Sequence, residues 1–333
     1  PNLRHFDSNG VMAVHVWYRP HARRALFCIV LVGMGFGAVH TAIPSLIAFG
    51  SDRAGLGDIF IADENGDELR NISSHPSAEA GPAWSPDGGM IAFQSYRNGD
   101  SEIWLMNQDG SDPVQLTDGI GSSRSPSWSP DGRRICFLSG GLHPGDVYTV
   151  ARDGAELRQL TKHPARDIAP AWSPDGGRIL FESHRDGNAE IYTMSNRGED
   201  LRRLTNNVWT DEDPAWSPNG SHIAFSSWRK LSRAVYVMTA NGQGPRAVTN
   251  ADMPGRRPHQ PDWSPHGLWI AFREKGDIYK ISVDGGDVEQ LTSHPALDYD
   301  PDWFDPTVLP VSSPLQQRAT WGWLKTFGPR VLR

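Results

Sequence analysis

The chain has 333 residues, 34 of them Gly and 26 Pro, a density of turn formers that suits many short strands better than long helices. Its formal charge is −7; because four of the 32 Lys and Arg and one of the 39 Asp and Glu fall in residues 1–42, the rest carries 28 basic against 38 acidic side chains. That acidic body argues against a general binder of phosphate backbones, so no nucleic-acid partner is expected.

Residues 1–42 read as a few upstream residues followed by an export signal. From Met12 a basic stretch with Arg19, Arg23 and Arg24 precedes the apolar run Ala25 to Val39. Its fifteen residues are signal-peptide length and short for a membrane span. Ala38 and Ala42 offer cleavage points, and an uncleaved signal anchor is the alternative. The mature chain is expected in the periplasm or secreted, with no membrane span. Cys28 lies in the segment to be removed, and Cys136 alone cannot form an internal disulfide.

Residues 43–306 repeat a unit of about 44 residues. The first landmark is Pro-x-Trp, at Trp84, Trp128, Trp172, Trp216, Trp263 and Trp303, followed in the first three units by Ser-Pro-Asp-Gly. An Ile-x-Phe triplet comes next, ending at Phe49, Phe93, Phe137, Phe181, Phe225 and Phe272. An aliphatic–aromatic pair follows, as in Ile103-Trp104 and Ile191-Tyr192, then Asp-Gly or Asn-Gly, as in Asp109-Gly110, then Leu-Thr or a relative, as in Leu116-Thr117. Each unit therefore holds four short strands, here named A to D from Pro-x-Trp onward, separated by turns that Pro and Gly favour. One such sheet cannot bury both faces, whereas six stacked around an axis can. The expected fold is an all-β, six-bladed propeller of four-stranded antiparallel blades. The first unit begins at Leu46 without an A strand and the last ends after one, at Trp303, so the C-terminal strand is expected to complete the first blade and close the ring.

The string PAWSPDG…IAFQSYRNGDSEIWLMNQDG…QLT, residues 82–117, resembles the TolB-like propeller repeat, a relative of WD repeats, and the likeness extends over about residues 46–306. The resemblance implies the propeller fold but not an activity, since such propellers occur both alone and attached to enzymes. No G-x-S-x-G elbow, H-E-x-x-H, P-loop or G-x-G-x-x-G is present. No catalytic residue is therefore assigned and no cofactor is expected. His75, His163 and His294 each precede Pro at equivalent places and read as turn residues. Asp63 to Asp67 reads as a C–D hairpin turn rather than a calcium loop, and Cys136 as a small buried apolar residue.

Strand order places the D–A and B–C loops on one face, the loop face, and the Ser-Pro-Asp-Gly and Asp-Gly turns on the other. The loop face varies most between units, so specificity is expected there. Four units carry Ser-x-Arg in the B–C loop, at Arg53, Arg97, Arg185 and Arg229, while acids such as Glu79, Asp167, Asp213, Asp298 and Asp300 occupy the D–A loops. Exposed inter-blade ion pairs are the expectation for these. In one unit the D–A loop is lengthened and the B–C loop shortened. Arg256, Arg257, His259, Arg273 and Lys275 gather there. The preceding unit adds Trp209 and Trp228, both outside the repeat pattern. Trp and Arg are common interface anchors, so Trp209, Trp228, Arg229, Arg256, Arg257, His259 and Arg273 form the candidate binding surface.

Four acids, Asp262, Asp298, Asp300 and Asp302, are expected at the channel mouth, where a cation such as calcium could sit if they are not solvated or paired. The tail, residues 307–333, is basic and aromatic and matches no repeat. The reading that emerges is a non-enzymatic, exported, monomeric propeller that binds a protein or peptide of the cell envelope on its loop face. The alternative is a propeller-type enzyme, such as a polysaccharide lyase or glycosidase, with a site at the channel mouth.

Overall fold

The computed structural model describes residues 5–6, 12–13, 45–140, 144–229, 232–250 and 257–308. The apolar run read as an export signal, with the cleavage points expected in it, Arg256, and the tail beyond Val308 lie outside the described residues. Residues Pro1–Ala42 form a unit of their own, in which His5–Phe6 pairs antiparallel with Met12–Ala13. The repeats belong to the second unit, Ile43–Arg333.

Six four-stranded antiparallel sheets make up the described part of that unit. Blade 1 joins Asp298–Phe304, as strand A, to Leu46–Ser51, Asp58–Asp63 and Arg70–Asn71 as strands B, C and D. Blades 2 to 6 are continuous in sequence, with A strands Glu79–Trp84, Ser122–Trp128, Asp167–Trp172, Thr210–Trp216 and His259–Trp263. A strands of neighbouring blades touch one another, so strand A is innermost and the six enclose a central axis. Closure is as the strand count required: Asp298 pairs with Ser51, Trp303 with Ile47 and Phe304 with Leu46. Among the described residues no helix is long and apolar enough to cross a membrane.

The Ile-x-Phe landmark explains why these segments are strands that stack. Its six Phe side chains are at most 1 % exposed, each burial contributing about 2–3 kcal/mol. In blade 4, Phe181 lies 5.9 Å from Tyr192 of the aliphatic–aromatic pair, and the same stacking recurs in blades 3, 5 and 6. The buried apolar residues form six clusters, each shared by two adjacent blades. Ile135, Phe137 and Trp128 of blade 3, for example, pack with Ala92, Ile103 and Leu105 of blade 2. The core is therefore a set of six seams rather than one centre.

Turn chemistry fixes the spacing. In the Ser-Pro-Asp-Gly turn of blade 2, Ser85 Oγ donates to Asp87 Oδ1 at 2.6 Å and the Gly88 N–H to the Ser85 carbonyl at 2.8 Å. Glycine at the Asp-Gly turn is required twice over. Gly110 has φ +85°, and a Cβ there would stand 1.8 Å from the Ile72 carbonyl oxygen of the preceding blade. The shortened B–C loop of blade 6 is a two-residue hairpin, Lys275-Gly276, with both φ positive and Glu274 paired to Asp277.

Candidate binding surface

Every A strand is bulged three residues before its Trp. At that place Gly81, Ser125, Ala169, Asp213, Gln260 and Asp300 all have φ between +49° and +57°, and the A–B register shifts around each of them. A bulge re-aims side chains, and here it separates two layers of the inner wall.

The first layer lies inside the blades. The Ser-x-Arg arginines do not pair between blades, nor are the pairs exposed, as the sequence suggested. Each folds back onto the A strand of its own blade: Arg53 to Asp298 at 2.5 Å, Arg97 to Glu79 at 2.6 Å and Arg185 to Asp167 at 2.8 Å, with all three carboxylates 0 % exposed. The guanidinium also lies over the blade's own aromatics, Arg185 being 5.6 Å from the Phe181 ring and 5.0 Å from the Tyr192 ring. This placement removes Asp298 from the channel mouth, where the sequence had grouped it. Blade 5 departs from the pattern. Arg229 stands 3.9 Å from Asp211 and instead covers Tyr236 at 4.3 Å. Burial pushes the Asp211 carboxyl up.

The second layer faces the axis, and it is lopsided. On blades 5, 6 and 1 the bulge residues are polar and chained. Asp213 Oδ2 accepts the Gln260 N–H at 3.1 Å, Gln260 Oε1 accepts the Asp300 N–H at 3.4 Å, and the Asp300 carboxylate accepts the Gly81 N–H. Two residues along, Asp262 Oδ2 accepts the Trp303 N–H at 2.8 Å and Asp302 Oδ2 the Trp84 N–H at 2.7 Å. On blades 2, 3 and 4 the same positions are Gly, Ala or Ser. Asp262, Asp300 and Asp302 are thus inter-blade ties along the channel wall. No group of three or more His, Cys, Asp or Glu suited to a metal ion occurs among the described residues.

These carboxyls are displaced upward from the ordinary range, chiefly by burial. Asp300 reaches about 6 and Asp302 about 7, and repulsion from Asp302 raises Asp262 further. A folded-state pKa above the unfolded value near 4 means that the folded chain holds extra protons, so stability is lost as pH rises through about 4 to 7. Melting temperature is therefore expected to fall between pH 5 and pH 8. Asp262→Asn combined with Asp302→Asn should flatten that slope, and an unchanged slope in the double variant would show that these carboxyls carry no such protons.

At the loop-face end the structure brings together part of the predicted surface. Trp228 and Arg229 end strand B of blade 5 rather than lying in a loop, because that hairpin continues to Arg229–Ser232. Thr210 pairs with Trp228, which sets Trp209 one residue beyond. Arg257 crosses from blade 6 to lie 5.4 Å from the Trp228 ring. His259 opens the A strand of blade 6 opposite Arg273 of its B strand, and Arg273 covers Tyr299 of blade 1 at 5.5 Å. His259 Nδ1 lies 2.8 Å from the Arg257 carbonyl, which only accepts, so that nitrogen carries the proton. Burial lowers the His259 pKa, with Arg233 and Arg273 adding repulsion. Arg233, Glu212 and Tyr299 escaped the sequence reading. Aligning the residues just before each Trp across units exposes the acids and Tyr299, but not Arg233.

Opposite this surface lies a feature the repetitive turns concealed. A cavity of about 1350 Å³ opens on the turn face, lined by side chains of all six blades, among them Trp84, Pro130, Trp172, Pro218, Trp263 and Asp302. The residues read as structural are so: His75, His163 and His294 each accept a backbone N–H two residues on, Asp63 Oδ1 accepts those of Asn65 and Asp67, and Cys136 is fully buried.

Six four-stranded antiparallel sheets around one axis define a six-bladed β-propeller. Residues 105–303 match the TolB beta propeller domain, and the chain belongs to that family. Among solved structures, TolB from Acinetobacter baumannii is 23 % identical with a TM-score of 0.68, the match covering 78 % of this chain and 66 % of that one. A chain of a nidogen/laminin complex is 13 % identical with a TM-score of 0.65, covering 79 % and 99 %. Hydrazine synthase from Kuenenia stuttgartiensis is 18 % identical with a TM-score of 0.65, covering 80 % and 47 %. Likeness at these identities carries the fold alone. No match was found among curated protein sequences.

Proposed function

We propose that this chain is a non-enzymatic, exported propeller that binds a protein or peptide of the cell envelope on the loop face of blades 5 and 6. One observation carries the reading: Arg257 stacked on the half-buried Trp228 ring, on a face where neighbouring Val208 is 87 % exposed. A large aromatic held by a cation, beside an uncovered aliphatic, is the composition of an interface anchor. Trp209, whose backbone N–H donates to Asn207 Oδ1 at 2.8 Å, extends it. Trp228→Ala or Arg257→Ala should weaken partner binding by about 1–3 kcal/mol. Neither residue belongs to the six apolar seams, so melting should change little, and Asp131→Ala on the turn face should leave binding intact. The measurement is capture from envelope extract by native and variant chains. A stoichiometric partner retained by Trp228→Ala would remove the loop face from consideration. The enzymatic alternative rests on the Asp262 and Asp302 carboxyls, and oligosaccharide turnover abolished by Asp302→Asn would favour it instead.

A further inference from the structure

We infer that the partner segment taken by this loop face is acidic, an inference that rests on the binding reading above and names its chemistry. The cations and anions at this mouth are not equally engaged. Arg233 lies 3.0 Å from Asp213 and also bonds Glu212. Asp300 is held by Gln260 and the Gly81 N–H, Asp52 accepts the Tyr299 hydroxyl at 3.0 Å, and Asp298 is held by Arg53. The local carboxylates are thus consumed in ties between strands.

Arg257 and Arg273 are different. Each has an aromatic partner, Trp228 and Tyr299 respectively, and among the described residues neither lies at ion-pair distance from a carboxylate, Arg273 acting on Asp300 only from further off. In blades 1, 2 and 4 the arginine stacked on aromatics also holds a buried carboxylate. Arg273 keeps the stacking without the carboxylate, and its Nε is buried with no acceptor. A guanidinium with an unmet N–H is under-satisfied; Arg273 is itself partly exposed, and a carboxylate meeting its charge would supply the missing bonds. His259, between the two arginines and proton-bearing on Nδ1, leaves Nε2 to receive a proton if an anion arrives. Trp228, Arg257, His259, Arg273 and Tyr299 together run across blades 5, 6 and 1 as ring, cation, imidazole, cation, ring. Planar guanidinium groups on flat aromatic supports match carboxylates in pairs. The segment that fits carries two or more Asp or Glu, or a chain-terminal carboxylate, beside an apolar side chain for Trp228 and Val208.

The test is selection of a random dodecapeptide library displayed on phage against the chain, with selected peptides then measured against variants by calorimetry. Acidic peptides with an apolar residue should be enriched. Their affinity should fall about tenfold in Arg257→Gln and Arg273→Gln, fall with added salt, and be lost on Asp/Glu→Asn/Gln exchange in the peptide. Arg257 is exposed, so its variant remains informative if Arg273→Gln misfolds. Neutral or basic peptides that Trp228→Ala releases but Arg257→Gln retains would overturn the acidic class and leave the loop-face reading standing. Peptides bound equally by all three variants would overturn both.

Discussion

A chain ended before Asp298 will not fold as a soluble, cooperatively melting propeller. That cut removes the strand pairing Asp298 to Ser51 and Phe304 to Leu46. It takes Trp303 out of a cluster with Ile47, Phe49 and Phe60, and Phe304 from its 5.1 Å stack on Trp84. Loss of one large buried aromatic costs about 3–5 kcal/mol, so two approach the whole stability of an ordinary domain. Arg53 is left half-buried without Asp298, and strand B of blade 1 gains an open edge. Aggregation, or a broad transition at much lower temperature, is the expected result in calorimetry and light scattering. A chain ended after Val308 keeps all these contacts and is the comparison. If the shorter chain melts as the longer one does, strand A of blade 1 does not close the ring.

Arg185→Met should destabilise blade 4 by about 3–5 kcal/mol, the magnitude of leaving one buried charge without its partner. Asp167 is 0 % exposed and takes both its bonds to Arg185 Nη2, at 3.0 and 2.8 Å, together with the Ser183 hydroxyl at 2.5 Å. Arg229→Met in blade 5 is the internal control. There the separation is already 3.9 Å and Asp211 is served by Ser227 and Asn207, so the loss should be clearly smaller. Pairing Arg185→Met with Asp167→Leu should recover much of the loss, since an apolar pair leaves no orphan. Equal destabilisation in blades 4 and 5, measured by urea titration, would mean that stacking on the ring, rather than the carboxylate, holds the arginine.

The blades were legible because each landmark has a mechanical reason to recur. Phe181 and its equivalents fill seams, Gly110 has no room for a Cβ, and counting strands from Leu46 to Trp303 leaves one A strand over. The inner wall was less legible. Asp298, Asp300 and Asp302 alternate, and in a regular strand they would share one face. The bulge at Asp300 breaks that alternation and sends Asp298 to Arg53 while Asp302 meets the Trp84 N–H. Ser-x-Arg misled for a related reason: an arginine four residues beyond its triplet Phe looks free in sequence, whereas the hairpin returns it over its own blade. The surface residues were found by their departure from the repeat, but their partnerships, Arg257 with Trp228 and Arg273 with Tyr299, cross blade boundaries that a linear reading does not join.

The lopsided axial wall bears on how a ring made from one open chain keeps its shape. Blade 1 is the only one built from distant parts of the sequence, so its assembly meets the largest chain-entropy penalty. It is also the blade clasped on both sides, by Gln260 and Asp262 from blade 6 and through Asp300 and Asp302 to blade 2. Among the side chains at the same wall positions of blades 2 to 4, only Ser127 makes such a tie, accepting the Trp172 N–H at 3.3 Å. The side-chain ties of the inner wall are thus concentrated where the two ends of the chain meet. On the side of blades 2 to 4 the peptide is continuous, so a seam opened there can reclose without the ends being lost.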